Sequence, residues 1–169
     1  MTTEVQQTPF PAWGRSNSFL SFGDSQTPLT QAGLVDRLNI LDVLGRYAWS
    51  YDERNIAALE SSFSEDAVWE GSVAGTFAIE PIRGRQAISD WLQGHMAAQS
   101  DQRRHNAINH IFVSQTETAA EVLSYLLLTS ASEGTTKVVT SGFYRVRFAK
   151  AESGVWQIEY MFGGFDNPF

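Results

Sequence analysis

The sequence of 169 residues contains no cysteine. That absence removes disulfides, thiolate nucleophiles and thiolate metal sites together, and it fits a reducing compartment. Basic charge is scarce as well. Twelve Lys and Arg stand against 19 Asp and Glu, for a formal net charge of −7. Phosphate neutralisation needs a basic surface, so nucleic acid is not an expected partner, and the Arg103-Arg104 pair is too small to change that. No apolar run approaches the roughly 20 residues that cross a bilayer, and no membrane partner is expected. The N-terminus lacks a basic stretch followed by an apolar one, so a secretory signal is not expected and the cytoplasm is the expected location. Also missing are the phosphate-cradling and dinucleotide glycine motifs, a G-x-S-x-G elbow and an H-E-x-x-H zinc motif.

What is present suits one globular domain with a real core: 43% hydrophobic residues, including five Trp, five Tyr and eleven Phe. Such rings either fill the core or wall a ligand cavity. Residues 1–27, rich in Pro, Ser, Gln and Gly, have no periodicity but carry Phe10, Trp13, Phe19, Leu20 and Phe22. They read as an irregular arm, either packed on its own domain or a neighbouring subunit, or disordered. Residues 28–169 form the expected folded domain. Leu34, Leu38, Leu41, Gly45, Ala48 and Asp52 recur at the spacing of one helix face, with Thr30 as an N-cap or early-turn residue. A break at Glu53-Arg54 precedes a short helix over 55–63, with Asn55 as its cap. Strands are expected at 67–70 and 76–79, then a helix after Gly84 with Ile88, Trp91, Leu92 and Met96 on one side. Four further strands are expected at 105–114, 120–129, 138–150 and 155–162, with a turn at Glu152-Ser153-Gly154. Helices first and a long meander afterwards predict an α+β fold with helices on one face of a mixed sheet.

The chemistry reduces to three histidines, a few carboxylates and the tyrosines. Asp52 is either an inward carboxylate that needs a partner or a solvated turn residue. His105 opens a strand. Strict alternation groups it with Ala107, Asn109 and Ile111, and sends His110 to the other face with Asn106, Ile108 and Phe112. The two histidines are therefore poor joint metal ligands, and no metal is expected. His95 reads as a surface residue. Tyr47 and Tyr51 stack along one helix side.

The order of motifs resembles the SnoaL-like branch of the nuclear transport factor 2-like superfamily. It comprises Tyr47-Ala48-Trp49-Ser50-Tyr51-Asp52, then Phe63-Ser64-Glu65-Asp66-Ala67-Val68-Trp69, a Gly84 turn into a helix, Arg104-His105-Asn106-Ala107-Ile108-Asn109, and finally Gly142-Phe143-Tyr144 and Gly154-Val155-Trp156-Gln157-Ile158. The resemblance covers about residues 30–162. It implies a cone: a strongly curved mixed sheet with three helices closing a pocket, commonly in a homodimer or homotrimer. Within the branch, Tyr51-Asp52 and His105 are similar to scytalone dehydratase and hexachlorocyclohexane dehydrochlorinase. This implies a cofactor-independent lyase or cyclase acting on a small hydrophobic, oxygenated molecule. Asp52 would orient His105 as general base, and Tyr51 would polarise a carbonyl. Tyr47, Trp49, Trp69, Asn109, Tyr125, Phe143 and Phe162 are the expected pocket lining. The resemblance departs at the strand after His105, where the dehydratase has a second histidine and this chain has none. Isomerases, epoxide hydrolases and noncatalytic subunits share the same fold.

Overall fold

The structure is a computed structural model that describes residues 9–23 and 29–169. The described elements are α1 (Trp13–Ser16), α2 (Gln31–Asp52), α3 (Ile56–Ser61), β1 (Phe63–Val73), β2 (Phe77–Arg83), α4 (Arg85–Ala97), β3 (Gln102–Gln115), β4 (Ala119–Ser132), β5 (Thr135–Lys150) and β6 (Trp156–Phe165). Six strands form one mixed sheet in the order β2-β1-β6-β5-β4-β3. β1 and β6 run parallel and every other pair antiparallel. Register shifts interrupt each of these ladders, and such bulges bend a sheet. The curved, unclosed sheet holds α2, α3 and α4 on its concave side, as the α+β expectation has it.

Local chemistry sets the helix ends. Thr30 Oγ1 accepts the Gly33 N–H at 3.1 Å, and Asn55 Oδ1 accepts the Ala58 N–H at 3.2 Å. At the end of α2, the Asn55 N–H donates to the Ser50 carbonyl at 2.8 Å and the Arg54 N–H to Tyr51 at 3.1 Å. Arg54 takes φ 55°, the left-handed conformation that this double closure demands. Asp52 is thereby fixed as the last helical residue.

The face of α2 differs from expectation. Its buried residues are Asp36, Ile40, Leu44, Tyr47, Ala48, Ser50 and Tyr51, whereas Leu34 and Leu38 are exposed. Asp36 can point inward because Lys150 Nζ (2.8 Å) and Trp156 Nε1 (2.9 Å) both donate to its Oδ1. These partners hold the Asp36 carboxyl below its ordinary pKa, the Lys150 bond most strongly.

The described part of the arm packs on its own domain, against the convex side of the sheet. Trp13 joins Phe143 and Phe162 in a satellite cluster, with Phe19 and Leu20 beside them. Trp13 Nε1 donates to Asp166 Oδ1 at 2.8 Å. Gly14 permits this approach, since a Cβ there would lie 2.8 Å from Phe143. No described helix is long and apolar enough to cross a membrane.

Candidate active site

Asp52 and His105 come together where the C-terminus of α2 meets the start of β3. Asp52 Oδ1 is 2.6 Å from His105 Nδ1, and Asp52 Oδ2 accepts the His105 backbone N–H at 2.8 Å. The carboxylate therefore clamps one residue at two points and fixes its ring. Side-chain exposures of 5% for Asp52 and 11% for His105 place the pair largely out of water, where such bonds strengthen. Two flanking contacts dock the same ends: Arg104 to Glu53 at 2.7 Å, and Gln102 Nε2 to the Asp52 carbonyl at 3.1 Å.

Tyr51 packs edge-on to the His105 ring, with centroids 4.7 Å apart. Its hydroxyl accepts from Gln99 Nε2 at 3.1 Å. Burial raises the Tyr51 pKa, opposed by the Gln99 bond and the Arg103 charge. Burial also raises those of Tyr47 and Tyr144. All three phenols thus stay protonated and are not anions.

Beyond Tyr51, the concave side is filled by Tyr47, Phe63, Trp69 and Tyr144, all members of the main core. Tyr47 meets Phe63 and Tyr144 edge-on. The buried Trp69 Nε1–H has no hydrogen-bond partner of normal geometry, although it lies close enough to the Tyr47 oxygen to act on that phenol. On the same concave side of β3, Arg103 pairs with Asp101 at 3.2 Å. A bond from Ser130 contributes most to lowering the Asp101 pKa. Open space beside the dyad forms a cleft of about 330 Å³ against Asp52, Glu53, Arg54, Ser100, Asp101 and Gln102. A second cleft, about 460 Å³, lies between α2, α3 and the β5–β6 turn, away from the dyad.

Several expected lining residues lie elsewhere. Tyr125 is 61% exposed on the convex side, because Ser124 and Leu126 on either side of it take the inward positions of β4. Phe143 and Phe162 also face outward, under the arm. Trp49 is 67% exposed on the outer side of α2, with the Arg104 guanidinium over its ring. Asn109 is exposed with φ 54° and forms a β-bulge: Ile108 pairs with Tyr125 and Ile111 with Leu123, so Asn109 and His110 together oppose Ser124. The extra residue reverses the alternation, and His110 does not point away from His105 as strict alternation requires. It turns to the concave side, where its Nδ1 is 2.7 Å from the buried Ser124 Oγ. Desolvation lowers its pKa and favours the neutral ring. His95 is exposed and packs edge-on against Trp91.

The family model described as a SnoaL-like domain matches residues 32–161. Among curated proteins, none matches in sequence. A protein of unknown function from Mycobacterium tuberculosis is 24% identical, with a TM-score of 0.68 over 79% of this chain and 73% of its own. ActVI-ORFA from Streptomyces coelicolor is 17% identical, with a TM-score of 0.66 over 77% and 97%. A chain from Novosphingobium aromaticivorans, described as the β subunit of an aromatic-ring-hydroxylating dioxygenase, is 13% identical, with a TM-score of 0.70 over 82% and 94%. At these identities the likeness is one of fold.

Proposed function

The chain belongs to the SnoaL-like family, and from that premise we propose that it is a cofactor-independent lyase or cyclase that removes an acidic C–H proton from a small, hydrophobic carbonyl compound. One observation carries the reading: the Asp52 carboxylate bonded to both Nδ1 and the backbone N–H of His105. With Nδ1–H held by Asp52, the Nε2 lone pair of His105 is the available base. It takes a proton from the carbon next to the carbonyl, and the C–H electron pair moves into the enolate. The proton on Nε2 then returns to a departing oxygen, which eliminates water, or to the alkoxide oxygen formed when the enolate carbon closes a ring on a second carbonyl. Tyr51, kept protonated beside His105, is the donor placed to meet the developing oxyanion. Base catalysis of this kind supplies about 10²–10⁴-fold, and positioning and electrostatics supply the rest.

The test is hydrogen–deuterium exchange at the carbon next to the carbonyl of 1-tetralone, followed by NMR in D₂O. Exchange above the buffer rate is expected from the wild type, with a loss of about 10²–10⁴-fold in His105→Gln. An undiminished rate in that variant ends the proposal. A second reading, a noncatalytic subunit, is supported by the ring-filled interior around Tyr47, Trp69 and Tyr144 and by the dioxygenase-subunit fold likeness. Absence of exchange by the wild type would favour it.

A further inference from the structure

The loop that joins α4 to β3 is built against the end of α2. Two backbone bonds extend the last turn of α4: the Ala98 N–H donates to the His95 carbonyl at 3.2 Å and the Gln99 N–H to that of Met96 at 3.1 Å. Gln99 therefore stands one turn beyond Met96, a core residue, and its side chain is carried toward α2. Arg54, in the left-handed closure after α2, donates from its guanidinium to the Gln99 carbonyl at 2.5 Å. At the other end of the loop Gln102 Nε2 donates to the Asp52 carbonyl, and Asp101 is paired with Arg103. Ser100, Asp101 and Gln102 of this stretch wall the cleft of about 330 Å³ beside the dyad, together with Asp52, Glu53 and Arg54.

The Gln99 amide straddles a single atom. Its Nε2 lies 3.1 Å and its Oε1 3.4 Å from the hydroxyl oxygen of Tyr51. Among the described residues that hydroxyl has no other hydrogen-bond partner, and Tyr51 is 7% exposed. One side chain thus meets both polarities of a buried phenol, at unequal strength. The N–H···O contact is within the ordinary limit of roughly 3.2 Å, whereas the O–H···O contact exceeds its usual limit of roughly 3.0 Å. The phenol oxygen is firmly held and its proton loosely held. A bond donated to a hydroxyl oxygen makes that hydroxyl a better donor in turn. Consistently, burial raises the Tyr51 pKa, and the Gln99 bond opposes it more strongly than the Arg103 charge does.

We propose that Gln99 is a positioning residue for Tyr51: its amide nitrogen holds the phenol oxygen from behind, while its amide oxygen yields the phenol proton to a stronger acceptor, the developing oxyanion of a ligand carbonyl. No covalent bond changes in this step. The proton stays on Tyr51, and its hydrogen bond moves from Oε1 to the ligand. The buried hydroxyl is satisfied before the ligand arrives, and Nε2 continues to support its oxygen afterwards. A carboxylate, which only accepts, cannot do both, and neither can an apolar side chain. The inference rests on the reading of Tyr51 as donor to that oxyanion, and it does not depend on which group abstracts the proton.

Two measurements on the full chain test this, with circular dichroism confirming the fold of each variant. One is tetralone exchange; the other is calorimetric affinity for 4-nitrophenolate, an enolate mimic that needs no proton abstraction. Gln99→Met keeps the length without the polar atoms and should weaken both by about 2–10-fold, the worth of one net hydrogen bond. Gln99→Glu offers acceptors alone, captures the Tyr51 proton, and should lower both as far as Tyr51→Phe does. In a Tyr51→Phe background the same two substitutions should change either reading by less than about twofold, whereas a merely structural role, or the added charge of Glu, would act there undiminished. Gln99 variants within about twofold of wild type, or losses that persist in the Tyr51→Phe background, overturn the inference, while exchange that still depends on His105 keeps the proposed function. Binding of 4-nitrophenolate that depends on Gln99, in a protein without exchange, keeps the inference and loses the enzyme reading. A wild type that neither exchanges nor binds overturns both.

Discussion

Replacing Asp52 by Asn changes almost no volume, yet it should invert the chemistry of His105. The backbone N–H of His105 can only donate, so the new amide must turn its oxygen toward that group, the bond now 2.8 Å long. Its NH₂ then faces Nδ1 across the present 2.6 Å contact. Two donors cannot share that contact, so Nδ1 becomes the acceptor and the ring proton moves to Nε2. The lone pair needed for proton abstraction is gone. In hydrolase triads the same tautomer inversion costs about 10⁴ in rate, and the whole general-base contribution is about 10²–10⁴. Tetralone exchange by Asp52→Asn should therefore fall by about 10²–10⁴-fold, close to the loss in His105→Gln. Stability should suffer far less. Two charge-assisted bonds become neutral ones, a loss of about 2 kcal/mol in all, or roughly 4–8 °C in Tm for a chain of this size. Exchange within about threefold of wild type, in a folded Asp52→Asn protein, would refute the argument and leave Asp52 as a clamp that only docks α2 on β3.

Two further outcomes follow from the packing. Asp36 has a lowered folded-state pKa, so its ionised form stabilises the protein above the ordinary value of 3.8 and that contribution is lost as pH falls through the lowered value. Asp36→Asn should lower Tm at pH 7, with the difference from wild type steady down to about pH 5 and shrinking below about pH 4; a difference independent of pH would contradict this. Gly142→Ala would set a Cβ 1.9 Å from the Gly164 carbonyl oxygen, a backbone atom that cannot step aside, whereas a Cβ at Gly94 on α4 meets nothing within 4 Å. Denaturant melts should show Gly142→Ala destabilised by about 2 kcal/mol or more, and Gly94→Ala stabilised by about 0.5–1 kcal/mol from helix propensity.

Much of the fold was legible because its signals are local. Thr30 and Asn55 cap the helices they precede, and the Glu152-Ser153-Gly154 turn connects β5 to β6. The inward face of α2 was not legible, and the reason is tertiary. Leu34, Leu38 and Asp52 share a stripe, but the core lies more than a third of a turn around the helix, along Asp36, Ile40, Leu44 and Tyr47. An acidic residue on that stripe argues against burial until Lys150 and Trp156 arrive from β5 and β6 to satisfy it. The ring-rich strands posed a related problem. Alternation assigns Tyr144 and Phe143 to opposite sides without saying which is concave, and only the arm's Trp13 shows that Phe143 has a separate cover.

The site turned on two features with different visibility. Asp52 and His105 stand far apart in sequence, and family resemblance joined them. Neither resemblance nor pattern showed that the carboxylate's second oxygen accepts the His105 backbone N–H, because this requires knowing that β3 is the edge strand beside α2. The bulge had a faint signature: Asn is among the few non-glycine residues that tolerate φ near +54°, and Asn109 interrupts a stretch whose alternation was already mixed. Reading Asn109 as a conformational residue, instead of a ligand contact, moves His110 to the His105 side and accounts for its bond to Ser124. The same clamp that aims His105 also closes the α2–β3 contact, so folding and the proposed chemistry draw on one carboxylate. For that reason rate and stability must be measured together in any Asp52 variant, since only a rate loss far larger than the accompanying Tm shift assigns the carboxylate to orienting the base.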